Sequence, residues 1–489
     1  MTRRVAAQGR FFPTPSFRRL PLWARVLLSI LAVLAIARGL VLARHDPLLA
    51  LANNYDQIRY SSCLDLAPWR PAGVDAGLAH PSAPLSRFSF HPLASDACLW
   101  TSDLLLTAPV ALGWRISEAF GGRSIHSVRR LAEFRLLAWF VVAFWATRFF
   151  VRENRADVAL AHLAWLALVG MDPANTLYLA TFYTEAAAIF GLYVCGVGVV
   201  ACLLRPTRVA LAITAFGAAL LAASKFQHLL LPALLGLAIL AGAGRLGRRA
   251  AMALLLGGAL GSAVQVGNQL RDTWMTHNIS TINRADFLLT VLLEETSDLH
   301  HVAQALDLDE DCLAAAGKNA YEIPAEKTCK TLSQWSSGRL WWLLISDPPA
   351  FGRALVRIPA LLLPWLPEHL GVVADQEYGR LPATLPSVSH ALGGRRGMAT
   401  ALLLLPWLVF LVCAIGRVSL RARGFVFLCA VGSSSVALVA LLGDGDVEYA
   451  KHAHLVVSFA LASLCVPLAG LFGRIMPAEI PQPNPGRTL

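Results

Sequence analysis

Residues 181–208 read TFYTEAAAIFGLYVCGVGVVACLLRPTR, and this stretch decides the fold. From Ala186 to Leu204 it carries no charged residue. A helix of about 20 apolar residues crosses roughly 30 Å of hydrocarbon. Inside hydrocarbon every backbone N–H and C=O must be bonded within its own segment, so such a run is a helix. The two ends differ in chemistry. Arg205 and Arg208 close one end, whereas Thr181, Tyr183, Thr184 and Glu185 crowd the other. Arginine marks the cytoplasmic side of a span, so the polar end faces away from the cytoplasm.

The same pattern recurs along the chain. Apolar runs lie at about Leu22–Leu42, Glu133–Phe149, Asp157–Met171, Thr181–Leu204, Val209–Ala223, Leu229–Gly244 and Ala250–Gln269. Three more follow at about Met398–Ile415, Gly424–Leu442 and Leu455–Phe472. Arginines before the first run place the N-terminus inside, and the run is long for a cleaved signal, so it reads as an anchor. With about ten spans, Arg148, Arg152 and Arg155, then Arg205 and Arg208, then Arg245, Arg248 and Arg249, then Arg417, Arg421 and Arg423, and finally Arg474 all fall on one side. The predicted fold is all-α, a polytopic transmembrane bundle with two large extracytoplasmic loops.

Bulk composition agrees. Of 489 residues 56% are hydrophobic and 15% charged. Soluble domains average about 45–50% and about 25%, which sets this chain apart from them. The net charge of +11 could suggest nucleic acid, but the arginines sit at span ends, where they signal topology, so no nucleic-acid partner is expected.

These runs divide the chain into a cytoplasmic segment 1–21 and a first membrane part 22–269, which includes the outer loop 43–128. A second outer loop, 270–397, precedes the C-terminal spans 398–473 and a cytoplasmic tail 474–489. Loops this long are usually functional. Within them Leu104–Phe120, Leu340–Ser346 and Phe351–Leu366 are half apolar and broken by Pro or charge, and read as helices lying in the interface. Cys63 and Cys98 lie in the first outer loop, Cys312 and Cys329 in the second. An even count on the non-cytoplasmic face predicts disulfides paired within each loop.

Four polar clusters sit where outer span ends should be plain. Asn54, Tyr55, Asp56 and Arg59 follow the first span, with Asp56 one helical turn from Arg59. Tyr183 and Glu185 stand at the mouth of the span quoted above, where an ionisable residue is costly unless paired. Lys225, Gln227 and His228 occupy a short outer turn, one fixed cation with donors beside it. Asp444, Asp446, Glu448, Lys451, His452 and His454 join the last two spans. His and Asp here could suggest a divalent metal, but their spacing fits no closed zinc pattern, so no metal or other cofactor is expected. Carboxylates from two clusters and cations from two others suit a transfer reaction on a phosphate-linked lipid: the carboxylate activates an acceptor and the cations stabilise the departing phosphate.

This layout resembles the GT-C membrane glycosyltransferases, and the strings Phe182–Glu185, Ser224–Gln227 and Asp444–His452 look like those of bacterial cell-surface glycan hexosyltransferases of that type. The resemblance implies a multi-pass enzyme of the bacterial inner membrane with its active site on the periplasmic face. It implies a polyprenyl-phosphate sugar as donor and a glycan, lipid or protein as acceptor. By the same resemblance Asp56 is the catalytic base, with Asp46, Asp65 and Asp75 as alternatives, and Glu185 positions sugar or acceptor. Arg59, Lys225, Gln227, His228, Lys451 and His452 would hold the phosphate, and Asn54, Tyr55, Tyr183, Asp444 and Asp446 the substrate. A lipid-linked sugar flippase and a non-catalytic glycan-assembly subunit are the other classes such a chain can belong to. The arginine pattern carries a first test: reporters or single cysteines at Ala76 and Lys318 should label from the non-cytoplasmic face, and a cytoplasmic signal at either position contradicts the span count.

Overall fold

The computed structural model describes residues 20–475 apart from 47, 50–53, 70–85, 94, 367–369, 371–384 and 393–395. Asp75, the N-terminal arginines before residue 20 and the tail after 475 therefore lie outside the described residues, as do the side chains of Asn54 and Tyr55.

The chain begins with α1 (Leu22–Arg44), then α2 (Asn54–Ser61), α3 (Leu104–Ala119), α4 (Arg129–Arg152) and α5 (Ala156–Trp165), which continues to Gly170 as a wider helical turn. After α6 (Pro173–Thr176) come α7 (Glu185–Leu204), α8 (Arg208–Ser224), α9 (Leu231–Ala243) and α10 (Arg248–Arg271). The second outer loop folds as α11 (Trp274–Phe287), α12 (Leu293–Glu295), α13 (Leu299–Leu306), α14 (Glu310–Leu313), α15 (Ala325–Thr328), α16 (Ser337–Ile345), α17 (Pro348–Leu361) and α18 (Val388–Leu392). Last come α19 (Arg396–Ile415), α20 (Leu420–Asp444), α21 (Tyr449–His452), α22 (Leu455–Ser463) and α23 (Cys465–Ile475). Each apolar run read from the sequence is thus helical. Among the described residues seven helical stretches are long and apolar enough to cross a bilayer, and Phe226–Arg271 is one of them although it holds both α9 and α10; Ala156–Gly170 and Arg208–Ser224 are shorter apolar helices.

Burial sorts these helices. In α7, 83% of the apolar window is buried inside the protein, against 28% for α1 and 22% for α19, so α7 is the central post and the other two face lipid. Small residues let its neighbours close in, as they do at membrane helix interfaces. A Cβ on Gly217 of α8 would lie 2.7 Å from the Cα of Cys195 in α7, and one on Gly257 of α10 would overlap the backbone of Ala215. The helices are stopped and started by ordinary signals. Thr207 caps α8 through the Ala210 N–H, and Asp347 caps α17, with Pro348 in the first turn.

The three half-apolar loop segments are helices as expected, namely α3, α16 and α17. Both disulfides pair within their loops: Cys63–Cys98 and Cys312–Cys329 each have Cα atoms 4.8 Å apart. One element was not foreseen. The first outer loop contains a small antiparallel sheet of β1 (Leu66–Pro68), β2 (Arg87–Phe90) and β3 (His126–Ser127), with Leu66 opposite Phe90 and Phe88 opposite His126. Strands of two to four residues are too short for alternation to show in sequence. The sheet matters for position: Phe88 packs edge-on against Phe182, ring centroids 4.7 Å apart, and so braces the stretch that leads into α7.

Candidate active site

The site is assembled where one set of helix ends comes together. Because α7 and α8 are antiparallel neighbours, the first residue of α7 and the residue that ends α8 lie side by side. These are Glu185 and Lys225, and they form an ion pair with side chains 5% and 13% exposed. The Glu185 carboxylate also sits at a helix N-terminus, where the helix dipole favours negative charge. The cost of placing each charge here is met by the other.

A second pair crosses almost the whole chain. Asp56 of α2 accepts from Lys451 of α21 at 2.7 Å, and Arg59 approaches the same carboxylate at 3.2 Å, one helical turn away. Lys451 also reaches Glu448 at 2.8 Å and stands 5.0 Å over the Tyr183 ring. Burial works against the ammonium, but Asp56 and Glu448 outweigh it and hold Lys451 protonated well above its ordinary range. The same surroundings, burial first and then the Asp56 carboxylate, push the Tyr183 phenol up.

His452 ties the third cluster to the fourth. Its Nε2 lies 2.5 Å from Asp444, and its Nδ1 lies 3.1 Å from the Gln227 side-chain oxygen. The segments 54–61, 178–185, 225–228 and 444–452 therefore meet in one place. Within it the predicted residues do not all point inward. His228 turns to the Ser224 hydroxyl at 2.9 Å. Asp446 is taken by Arg357 of α17, which also holds Glu294 at 2.7 Å and Glu295 at 2.9 Å. His454 leaves the loop to meet Asn175 at 2.8 Å, its ring 5.5 Å from that of Trp365. Asp46 and Asp65 sit at the surface on Arg129 and Arg115. Among the described residues no group of three or more His, Cys, Asp and Glu is placed to hold a metal ion.

Three residues that the sequence reading passed over shape this site. Arg135 is 1% exposed inside α4 and grips Asp103 at 2.7 and 2.6 Å. Its other nitrogen donates to the carbonyls of Leu179 at 2.8 Å and Thr181 at 2.6 Å, while the Gln57 oxygen accepts from Phe182 N–H at 2.9 Å. The strand of chain before Glu185 is thereby pinned from two sides. An arginine within the apolar run of α4 was the available signal. Asp286 of α11 is buried and accepts from Ala320 N–H at 2.7 Å. Burial, with Asp444 and Glu448 nearby, pushes its carboxyl up to about 7. Arg357 is the third, from a helix that sequence placed only in the interface.

A crevice of about 30 Å³ lies beside the clusters, lined by Gln227, His228 and His452 with Leu230, Leu234 and Val439; Leu230 is 65% exposed. A larger apolar cavity, about 400 Å³, lies at the opposite end of the bundle among α5, α7, α20 and α23, bordered by Arg155 and Arg421.

Long apolar helices, a buried central helix and charged groups gathered at helix ends define a multi-pass helical membrane protein. Residues 93–335 match the family model described as the YfdI N-terminal transmembrane domain, so just under half of this chain is similar to a known membrane-protein domain. The matched part carries Asp103, Arg135, Glu185, Lys225 and Asp286, whereas Asp56 and the Asp444–His452 loop lie outside it. No curated protein matches the chain.

Asp286 gives the site a measurable pH signature. Its folded value of about 7 is raised above the ordinary 3.8, so between those limits the folded state holds the extra proton. The sign follows: this group's contribution favours folding at low pH and is lost as pH rises through about 7. Detergent unfolding of wild type and Asp286→Asn from pH 5 to 8 should show the wild type losing stability with pH relative to the variant. Parallel curves would place the Asp286 carboxyl in an ordinary environment.

Proposed function

We propose that the chain is a GT-C-type glycosyltransferase that moves a hexose from a polyprenyl-phosphate donor to a glycan, lipid or protein acceptor. In this reading it spans the bacterial inner membrane ten times, with the polar cluster on the extracytoplasmic face. The observation that carries the proposal is the Asp56–Lys451 contact beside the Glu185–Lys225 pair. It brings together two carboxylates and two ammonium groups from four distant parts of the chain.

Such an arrangement suits a single displacement. The acceptor hydroxyl attacks the anomeric carbon, a new C–O bond forms, and the bond from that carbon to the phosphate oxygen breaks. The phosphate leaves with the electron pair, already ionised, so no general acid is required, and the anomeric centre inverts. Asp56 takes the acceptor proton. Lys451 and Arg59 occupy its oxygens in the ligand-free site, and a donor phosphate supplies the remedy. By drawing Lys451 onto its own oxygens, the phosphate releases the Asp56 carboxylate, which can then act on the acceptor. The same cations stabilise the charge that develops on the phosphate. Glu185 positions the sugar.

The test uses purified protein in nanodiscs with a panel of radiolabelled polyprenyl-phosphate sugars. Asp56→Asn keeps the shape and removes the proton acceptor, and kcat should fall about 10²–10⁴-fold with donor binding little changed. Wild-type rates in a folded Asp56→Asn protein would remove Asp56 from the mechanism, and the absence of transfer from every donor by wild type would overturn the enzyme reading.

A further inference from the structure

The glycines of the central helix α7 are used in two different ways. A Cβ on Gly191 would meet the Leu221 backbone at 2.8 Å, and one on Gly198 would meet the Thr214 backbone at 2.8 Å, so these two let α8 close in. Gly196 stands between them, yet a Cβ there finds nothing within 4 Å among the described residues. Glycine weakens a helix interior relative to alanine, and here no neighbouring helix needs the room. Gly470 of α23 faces open space as well. Both glycines line the apolar cavity of about 400 Å³ at the end of the bundle away from the polar cluster.

The cavity has a definite depth. Its wall runs on α7 from Leu192 to Leu204, on α5 from the capping residue Arg155 to Trp165, and on α20 from the capping residue Ser419 to Cys429. At a helical rise of 1.5 Å per residue these stretches are about 15–18 Å long. One leaflet is half of a hydrocarbon core about 30 Å thick, so the space is one leaflet deep. The wall is mostly apolar, and His162 and Tyr193 within it turn their polar ends to each other at 2.9 Å. An ordered water needs about two to four polar partners, which suits such a wall poorly, whereas a hydrocarbon chain needs none. The mouth is cationic. Arg155 stands there with Asp157 at 2.8 Å, while Arg421 is exposed and meets no carboxylate among the described residues. Basic pockets between membrane helices bind the head groups of anionic lipids.

We propose that this cavity binds one anionic phospholipid of the surrounding bilayer, with an acyl chain laid along Gly196 and Gly470 and the phosphate at Arg421. The depth fits a single acyl chain, and the phosphate supplies the negative partner that Arg421 lacks within the protein. The chain fills the gap between α7 and the helices α20 and α23. This site is separate from the polar cluster, and the inference does not depend on the glycosyltransferase reading.

The test is native mass spectrometry of the full-length protein, delipidated in detergent and titrated with palmitoyl-oleoyl phosphatidylglycerol, with phosphatidylcholine of the same chains, and with polyprenyl phosphate. Wild type should bind one phosphatidylglycerol at least about tenfold more tightly than phosphatidylcholine. Arg421→Gln should bring the two phospholipids to the same affinity, because only the head-group contact is lost. Gly196→Phe and Gly470→Phe fill the space from opposite walls, and each should weaken phosphatidylglycerol binding about tenfold or more. Gly196→Ala, whose Cβ meets nothing, should bind as wild type does and reports a folded α7. Undiminished affinity in either folded phenylalanine variant overturns the site, and so does a wild type that binds the two phospholipids equally. Tighter binding of polyprenyl phosphate than of phosphatidylglycerol would hand the cavity to a different lipid and overturn the assignment too.

Discussion

A buried ammonium group must find carboxylates, and in this protein that requirement organises the polar end of the bundle. Lys451 is 6% exposed, flanked by Asp56 and Glu448 and seated over Tyr183. Water cannot solvate it there, so the loop before the last helix must reach the short helix that follows the first one. Once these are joined, α7 has to end beside them, because Tyr183 stands two residues before Glu185. Glu185 in turn fixes Lys225 at the end of α8, and Gln227 on the same turn meets His452. One pairing thus draws four distant segments to a single point. Each partner is there because an unpaired charge would be expensive, and breaking a buried pair from one side commonly costs about 3–5 kcal/mol.

The same pairing bears on chemistry. A set of carboxylates and cations that neutralise each other is stable without ligand but inert. A phosphate that competes for the cations converts it into one with a free base. The proposed activity therefore depends on exchange of partners within the cluster. Arg135 and Asp103 serve this from behind: by holding the carbonyls of Leu179 and Thr181 they fix where Tyr183 and Glu185 can point.

Much of the frame was legible in the sequence because hydrocarbon enforces simple rules. Apolar runs are helices, and arginines gather at the helix ends away from the polar clusters. Both disulfides could be paired by loop. Polar residues at helix ends, such as Glu185 and Lys225, stood out against their surroundings. Their partners did not, since Asp56 and Lys451 are 395 positions apart and no local period links them. The destinations of Asp446 and His454 were hidden for a related reason. Both sit in one loop, yet Arg357 of an interfacial helix takes the first and Asn175 the second. Asp286 showed no signal at all, being one acid in a polar helix until folding buries it.

Whether Lys451 and Asp56 hold the site together is open to direct measurement by a double-mutant cycle on unfolding of the detergent-solubilised chain, using Asp56→Asn, Lys451→Met and the double variant. A shared buried contact predicts strong non-additivity, with the double variant more stable than the sum of the single losses implies by at least about 1 kcal/mol. Additive losses, within about 0.3–0.5 kcal/mol, would mean that the two residues do not meet, and the assembled site would be contradicted.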